Sequence, residues 1–255
     1  MVLPLQDDVV YGPIMSRRLG RSLGINLMPS RHKLCSFNCV YCHYGWTELL
    51  TSDAMAHAQD LPSVERIVQR LEVALRSALE FDYITFSGNG EPTLHPQFAV
   101  IVDQLRRLRD RFRPLAKLAL LSNSTCLGRP AVRDCIAKID LPVFKLDAGT
   151  EDTFHSINRP AKGLELAQIL QWLTSIRGIL LQTVLVDGAP SNVAGRELET
   201  YFEHIARIQP QEVHIYSIDR PAADPRLIRV PPQRLQGIAQ RGSALTGVKF
   251  RAFWM

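Results

Sequence analysis

The stretch KLCSFNCVYCHYG, residues 33–45, gathers three thiols, Cys35, Cys39 and Cys42, in one short loop. A disulfide uses two thiols and a closed zinc site four ligands, whereas a four-iron four-sulfur cluster held by three leaves one iron open. Two other readings compete. Zinc would need a fourth ligand from His32 or His43, but His43 adjoins Cys42 and no second ligand pair follows at zinc-finger spacing. A purely electron-carrying cluster would need a fourth cysteine, and Cys126 and Cys135 lie far down the chain beside no companion motif. An iron without a protein ligand points to a bound substrate.

A second stretch with chemical content is ITFSGNGEPTLHP, residues 84–96. Gly88 and Gly90 let the backbone turn sharply and approach a ligand, and free carbonyls there can accept from an ammonium. Glu91 adds a carboxylate. Crowding this turn, as in Gly90→Val, is expected to weaken ligand binding and spare the iron. The plain alternative is a Gly-Pro turn that ends a strand.

These residues must be held by regular elements. Apolar runs rich in β-branched residues read as strands at 23–28, 83–87, 118–122, 143–148, 179–186 and 213–218, with a last one at 248–254 closing an edge. Between them lie helical patterns: Ile67, Val68, Leu71, Leu75 and Leu79 behind a Ser63 cap, and Phe98, Ile101, Val102, Leu105 and Leu108 behind Pro96. This βα alternation predicts an α/β fold with a parallel sheet, doubly wound or curled into a barrel. Residues 220–232 form a long Pro-rich loop leading to a final helix. If 23–28 is the first strand, the cysteine loop opens onto the rim where βα loops build ligand sites. On that sheet Lys145 and Asp147 share a strand face and Gln182 sits among aliphatics, so all three are predicted buried and in need of partners. Lys145 and Asp147 satisfy that need either as a structural ion pair or as site residues.

With 46% apolar and 22% charged residues, no low-complexity block and no apolar run long enough for a bilayer, the 255 residues read as globular and not membrane-spanning. Acidic residues near the N-terminus argue against an export signal, so a reducing cytoplasm is expected, where five cysteines favour metal chemistry over disulfides. A net charge of +5 permits a phosphate-bearing partner. Arg17, Arg18 and Arg21 form a basic, turn-rich segment suited either to a phosphate or carboxylate or to latching onto the protein's own acids. Arg106, Arg107, Arg109, Arg111 and Arg113 are expected on the solvated face of a helix.

Cys-x3-Cys-x2-Cys with Tyr41 before the last cysteine resembles the cluster loop of radical S-adenosylmethionine (SAM) enzymes, and SGNGEP is similar to their Gly-Gly-Glu-Pro motif, with Asn89 inserted between the glycines. The resemblance implies a single domain over 1–255, its core about 11–221 and an extension over 222–255, folded as a partial TIM-type (βα)6 barrel. It implies a [4Fe-4S] cluster on Cys35, Cys39 and Cys42, and S-adenosyl-L-methionine bound by Tyr41, Ser87, Gly88, Asn89, Gly90 and Glu91. Asn123 and Ser124 match positions that contact the methionyl carboxylate or ribose, and Asp147 and Gln182 are further candidates for that pocket. The implied reaction is reductive: an electron from a carrier such as flavodoxin or ferredoxin breaks the sulfonium bond, and a 5′-deoxyadenosyl radical takes hydrogen from a substrate.

The stretches YGPIMSRRLGRSLGINLMPS, KLDAGTEDTFHSINRP and SIDRP look like the wyosine-synthetase-like branch, whose members act on a guanosine of tRNA. This implies a tRNA nucleoside or a small molecule as substrate, with Lys145 as the catalytic candidate. No cysteine precedes Cys35 to carry the second cluster of the tRNA-modifying members, so wyosine-type ring closure is not expected. Two rivals remain: an activase drawing hydrogen from a glycine of a partner protein, and a non-catalytic iron-sulfur or zinc module.

Overall fold

The computed structural model describes residues 2–193 and 195–254. Its first strands are β1 (Val10–Ser16) and β2 (Gly20–Ile25), an antiparallel hairpin, followed by a small parallel pair, β3 (Leu34–Cys35) and β4 (Leu49–Leu50). Strands and helices then alternate: α1 (Val64–Arg76), β5 (Tyr83–Phe86), α2 (Phe98–Phe112), β6 (Lys117–Ser122), α3 (Pro130–Ile136) and β7 (Leu141–Lys145). A short α4 (Glu151–Thr153) runs into a wide π-type turn, Phe154–Asn158, before α5 (Leu166–Ser175), β8 (Leu180–Asp187), α6 (Gly195–Ile208) and β9 (Glu212–Ser217). Finally come β10 (Ile228–Arg229), α7 (Pro232–Thr246) and β11 (Phe250–Phe253).

Eight of the strands pair in the order β1-β2-β5-β6-β7-β8-β9-β11, and β10 pairs antiparallel with β8. From β2 to β11 every neighbour along that path is parallel, so each connection crosses over through a helix, as the alternating pattern predicts. The protein is thus an α/β fold of six βα units and a last strand on one curved, mostly parallel sheet. The segment at 248–254 supplies the expected edge strand, β11 on β9.

Local sequence explains the layers. Ser63 Oγ accepts from the Arg66 amide at the start of α1, and the helix buries Ile67, Leu71, Ala74 and Leu75. Leu79 lies past its end and is exposed, so the predicted helix runs one turn too far. α2 buries Phe98, Ile101, Val102 and Leu105, and the Phe98 ring meets Phe86 of β5 edge-on at 5.3 Å. Arg109 departs from the solvated face expected of it. Its guanidinium is buried and bonds Asp140 at 2.7 Å, Asp110 at 2.6 Å and the Ala116 carbonyl at 2.8 Å, tying α2 to the residues that enter β6 and β7.

Strand β1 has no place among the sequence-predicted strands, because Gly12 and Pro13 together break its pattern. Its register slips between Tyr11 and Ile14, a bulge that re-aims Tyr11. The Tyr11 ring then crosses β2 at Gly24, where a Cβ would lie 2.1 Å from the ring, and its hydroxyl meets Ser87 Oγ at 2.6 Å. The predicted first strand stops at Ile25. Asn26 turns out of it, accepting from the Asn89 amide at 3.1 Å and from the Met28 amide at 3.2 Å.

Candidate active site

The C-terminal ends of the parallel strands surround a cavity of about 320 Å³. Cys35, Cys39 and Cys42 line it from the loop after β2. Ser87, Gly88, Gly90 and Glu91 face it after β5, and Ser122 and Asn123 after β6. Lys145, Gln182 and Tyr216 face it from β7, β8 and β9. Eleven of the fourteen residues proposed from sequence meet here, counting Tyr41. Asn89, Ser124 and Asp147 stand behind the wall. Asn89 is fully buried, its side chain tied to the Gln6 backbone and the Pro29 carbonyl. Ser124 donates from Oγ to the Lys145 carbonyl at 2.8 Å.

The cysteine loop is held from two sides. On one side Gly90 forms a bridge with Leu34, so close that a Cβ on Gly90 would lie 1.8 Å from the Leu34 carbonyl oxygen. Only glycine fits there. On the other side the π-type turn and the residues after it act as a template: the Asn38 amide donates to Asn158 O at 2.9 Å, Val40 N to Ile157 O at 3.0 Å, and Ala161 N to Ser36 O at 2.9 Å. Phe37 pairs with Pro160 as an isolated bridge. The π-type geometry at Phe154–Asn158 and the left-handed Arg159 bend the chain to meet the loop.

Behind the wall, Asp147 organises the loop's aromatic residue and a neighbour. Its carboxylate accepts from Tyr41 Oη, from Asn158 Nδ2 at 2.8 Å and from the Val184 amide at 2.8 Å. Lys145 Nζ lies 3.9 Å from Asp147 Oδ1, a buried ion pair of which only the lysine lines the cavity. Burial works against the Lys145 charge, but the fields of Asp147, Tyr216 and Cys39 together hold the ammonium above its ordinary range. Burial raises the Glu91 carboxyl, although Asn123 N, Thr93 and Ser122 all donate to it. Glu91 thereby fastens the β5 loop to the β6 loop.

The thiols fit an iron-sulfur cluster. Burial pushes Cys35 up to about 12 and Cys39 up to about 11, so these thiols ionise only against a positive partner, which a bound metal supplies. The buried Lys33 ammonium donates to Gly45 O at 2.7 Å beneath the loop, and burial there is opposed by the field of Cys42 and Cys35. Among the described residues, no three His, Cys, Asp or Glu side chains converge to hold a single ion, as a zinc site would need. His43 lines the cavity but is engaged with Pro221 O at 3.2 Å and Asp219 at 3.5 Å. Cys126 and Cys135 are buried away from the cavity, Cys135 Sγ against the Val132 carbonyl at 3.1 Å.

The model of the radical SAM superfamily matches residues 31–188, more than half of the chain, from the cysteine loop through β8. The chain belongs to the radical SAM superfamily. Enzymes of this superfamily use a [4Fe-4S] cluster and S-adenosyl-L-methionine. It is 34% identical over 218 residues to a UPF0026 protein of Synechocystis, covering 83% of this chain and 76% of that one. It is 31% identical over 221 residues to a protein of Brachyspira hyodysenteriae named GTPase Obg, covering 85% of this chain but only 31% of that length. Its fold is similar to that of Streptococcus suis SuiB bound to S-adenosylmethionine, with a TM-score of 0.61 at 10% identity over 91% of this chain and 50% of that one. No helix among the described residues is long and apolar enough to cross a membrane.

Tyr11, Lys33 and Tyr216 also line the cavity, and Asn158 stands behind it, although none was among the residues expected from sequence. Tyr216 reaches the cavity from a strand without a motif of its own, and Tyr11 from a strand that the sequence pattern does not show. Lys33 precedes the cysteine loop directly, and Asn158 stands in SINRP, so proximity in sequence was the available signal.

Proposed function

We propose that this radical SAM enzyme abstracts hydrogen from a substrate carrying an anionic group, a tRNA nucleoside or a small molecule, held against Arg18 and Lys145. The observation that carries this reading is the uneven pairing of the basic segment. Arg17 is bound to Asp219, and Arg21 to Glu80 and Asp82, so both are neutralised. Arg18 turns into the cavity instead, donating to Gln182 Oε1 at 2.5 Å with its guanidinium 4.5 Å from the centre of the Tyr216 ring. No carboxylate among the described residues lies within 4.0 Å of it. A guanidinium fixed by a neutral amide and an aromatic face keeps its remaining donors for a carboxylate or phosphate.

Cys35, Cys39 and Cys42 hold the cluster; Ser87, Gly88, Gly90, Glu91 and Asn123 form the wall for S-adenosylmethionine. When bound, the pair supplies reductive cleavage and hydrogen-atom abstraction, the electron coming from a carrier such as flavodoxin or ferredoxin. Phe37, Leu121, Val184 and Ile218 line the cavity with apolar surface that keeps water from the reacting atoms. KLDAGTEDTFHSINRP and SIDRP support placing the enzyme in the wyosine-synthetase-like branch, and the pairing of β11 with β9 supports a single domain through the C-terminal extension.

The probes are bulk tRNA and inorganic phosphate, with Arg18→Ala and Arg21→Ala beside the parent. Binding of at least one probe should weaken in Arg18→Ala and hold in Arg21→Ala, with the tRNA salt slope reduced by about one phosphate contact. Failure of both probes to bind the parent would overturn the anionic reading and favour the rival, a glycyl-radical activase.

A further inference from the structure

Two asparagine amides aim their N–H groups at cluster cysteines, and the chain leaves neither free to turn over. Asn158 Nδ2 lies 3.5 Å from Cys39 Sγ and 3.2 Å from Tyr41 Oη, so its second N–H is shared between them. The same nitrogen donates to Asp147 Oδ2 at 2.8 Å, and a buried carboxylate accepts only, so the amide nitrogen must face this way. Asn123 Nδ2 lies 3.7 Å from Cys35 Sγ and 2.9 Å from Ser36 Oγ. Its Oδ1 accepts from the Thr125 amide at 3.2 Å and from Thr125 Oγ1 at 2.8 Å, which fixes its orientation too. Both side chains are buried, and Asn158 lies off the cavity wall.

Resting on the cluster assignment above, we infer that Asn158, positioned by Asp147, and Asn123, positioned by Thr125, hydrogen-bond the ligand sulfurs of Cys39 and Cys35 and set the cluster's reduction potential. One-electron reduction adds one negative charge to the cluster and its thiolates, with the electron taken from an external one-electron donor. N–H donors aimed at the sulfurs stabilise that added charge and raise the potential. The SINRP stretch thus gains a role beyond its turn: its backbone shapes the cysteine loop and its asparagine tunes what the loop holds. Asp147 and Thr125 are positioning residues that act through the two amides.

The test is a potentiometric titration with dithionite of the anaerobically reconstituted full chain, read from the cluster's absorbance and electron paramagnetic resonance. Iron content and thermal unfolding are measured on the same samples. Asn158→Ala should keep its iron and become about tenfold harder to reduce, a shift of about 59 mV to lower potential for one electron. Asn123→Ala should shift it in the same direction by less, because its sulfur contact is longer. An unchanged potential in an Asn158→Ala protein with full iron overturns the inference. Should that variant lose iron, Asn123→Ala decides, since Ser36 and Thr125 still pair with each other at 2.6 Å without the amide. Loss of iron from both variants overturns it as well, making the amides structural. A parent that takes up no iron overturns the cofactor assignment and this inference together.

Discussion

Gly90→Ala tests how the two motifs are mechanically joined. The added methyl would stand 1.8 Å from the Leu34 carbonyl oxygen and 2.8 Å from its carbon, both backbone atoms that no rotamer change can move away. Reaching ordinary contact requires the SGNGEP turn and the cysteine loop to part by about 1.6 Å, and forced overpacking of this kind costs about 1–3 kcal/mol. Because Leu34 precedes Cys35, the loop carrying the thiols takes up the shift. The structure therefore moves the damage from the ligand approach, where sequence alone put it for Gly90→Val, to iron binding itself. The assay is iron and sulfide per chain after anaerobic reconstitution, beside urea unfolding of the same sample. A loss of about 2 kcal/mol lowers the urea midpoint by on the order of 0.7 M, and iron per chain should fall well below the parent's. Parental iron content with a midpoint within ~0.1 M of the parent's would refute the claim that this contact seats the loop.

Further outcomes follow from other parts of the fold. Gly237, inside α7 with nothing within 4 Å of its Cβ position, should gain about 0.5–1 kcal/mol on change to Ala, read by urea unfolding. Arg109→Ala should cost about 2 kcal/mol through its lost charged hydrogen bonds. Burial raises the Asp140 carboxyl, but the Leu118 amide and Arg109 outweigh it and hold it below the ordinary carboxylate range. Its contribution is therefore present above its unfolded pKa and disappears as pH falls through the folded one, so Arg109→Ala should flatten the stability loss of the parent below about pH 4. Cys126→Ala and Cys135→Ala should each keep the parent's iron content, whereas Cys35→Ala, Cys39→Ala or Cys42→Ala should lose it.

The βα order was legible because parallel strands buried on both faces write largely apolar runs, as in β8, where residues 180–186 are all buried and five of the seven are aliphatic. The three thiols and the SGNGEP turn were legible because each is local: their meaning depends on spacing within one loop. What sequence hid is non-local. β1 lacks alternation because its bulge exists to carry Tyr11 across Gly24 to Ser87, a contact 76 residues away. Arg109 looked like one of several solvated arginines because nothing in α2 announces Asp140, which comes 31 residues later. The three arginines near the N-terminus read as one basic patch, yet their partners divide them: two meet carboxylates and the third meets Gln182. Asn158 was invisible as a cluster neighbour for the same reason, since only the π-type turn brings it to Cys39.

Three thiols and the adjoining wall should make this chain cleave S-adenosylmethionine reductively. The direct measurement is the yield of 5′-deoxyadenosine and methionine from anaerobic, iron-loaded protein given S-adenosylmethionine and dithionite. Both products should form in equal amounts, slowly and without any substrate, and neither should form with Cys39→Ala. Protein carrying its full iron and sulfide that releases no 5′-deoxyadenosine would contradict it.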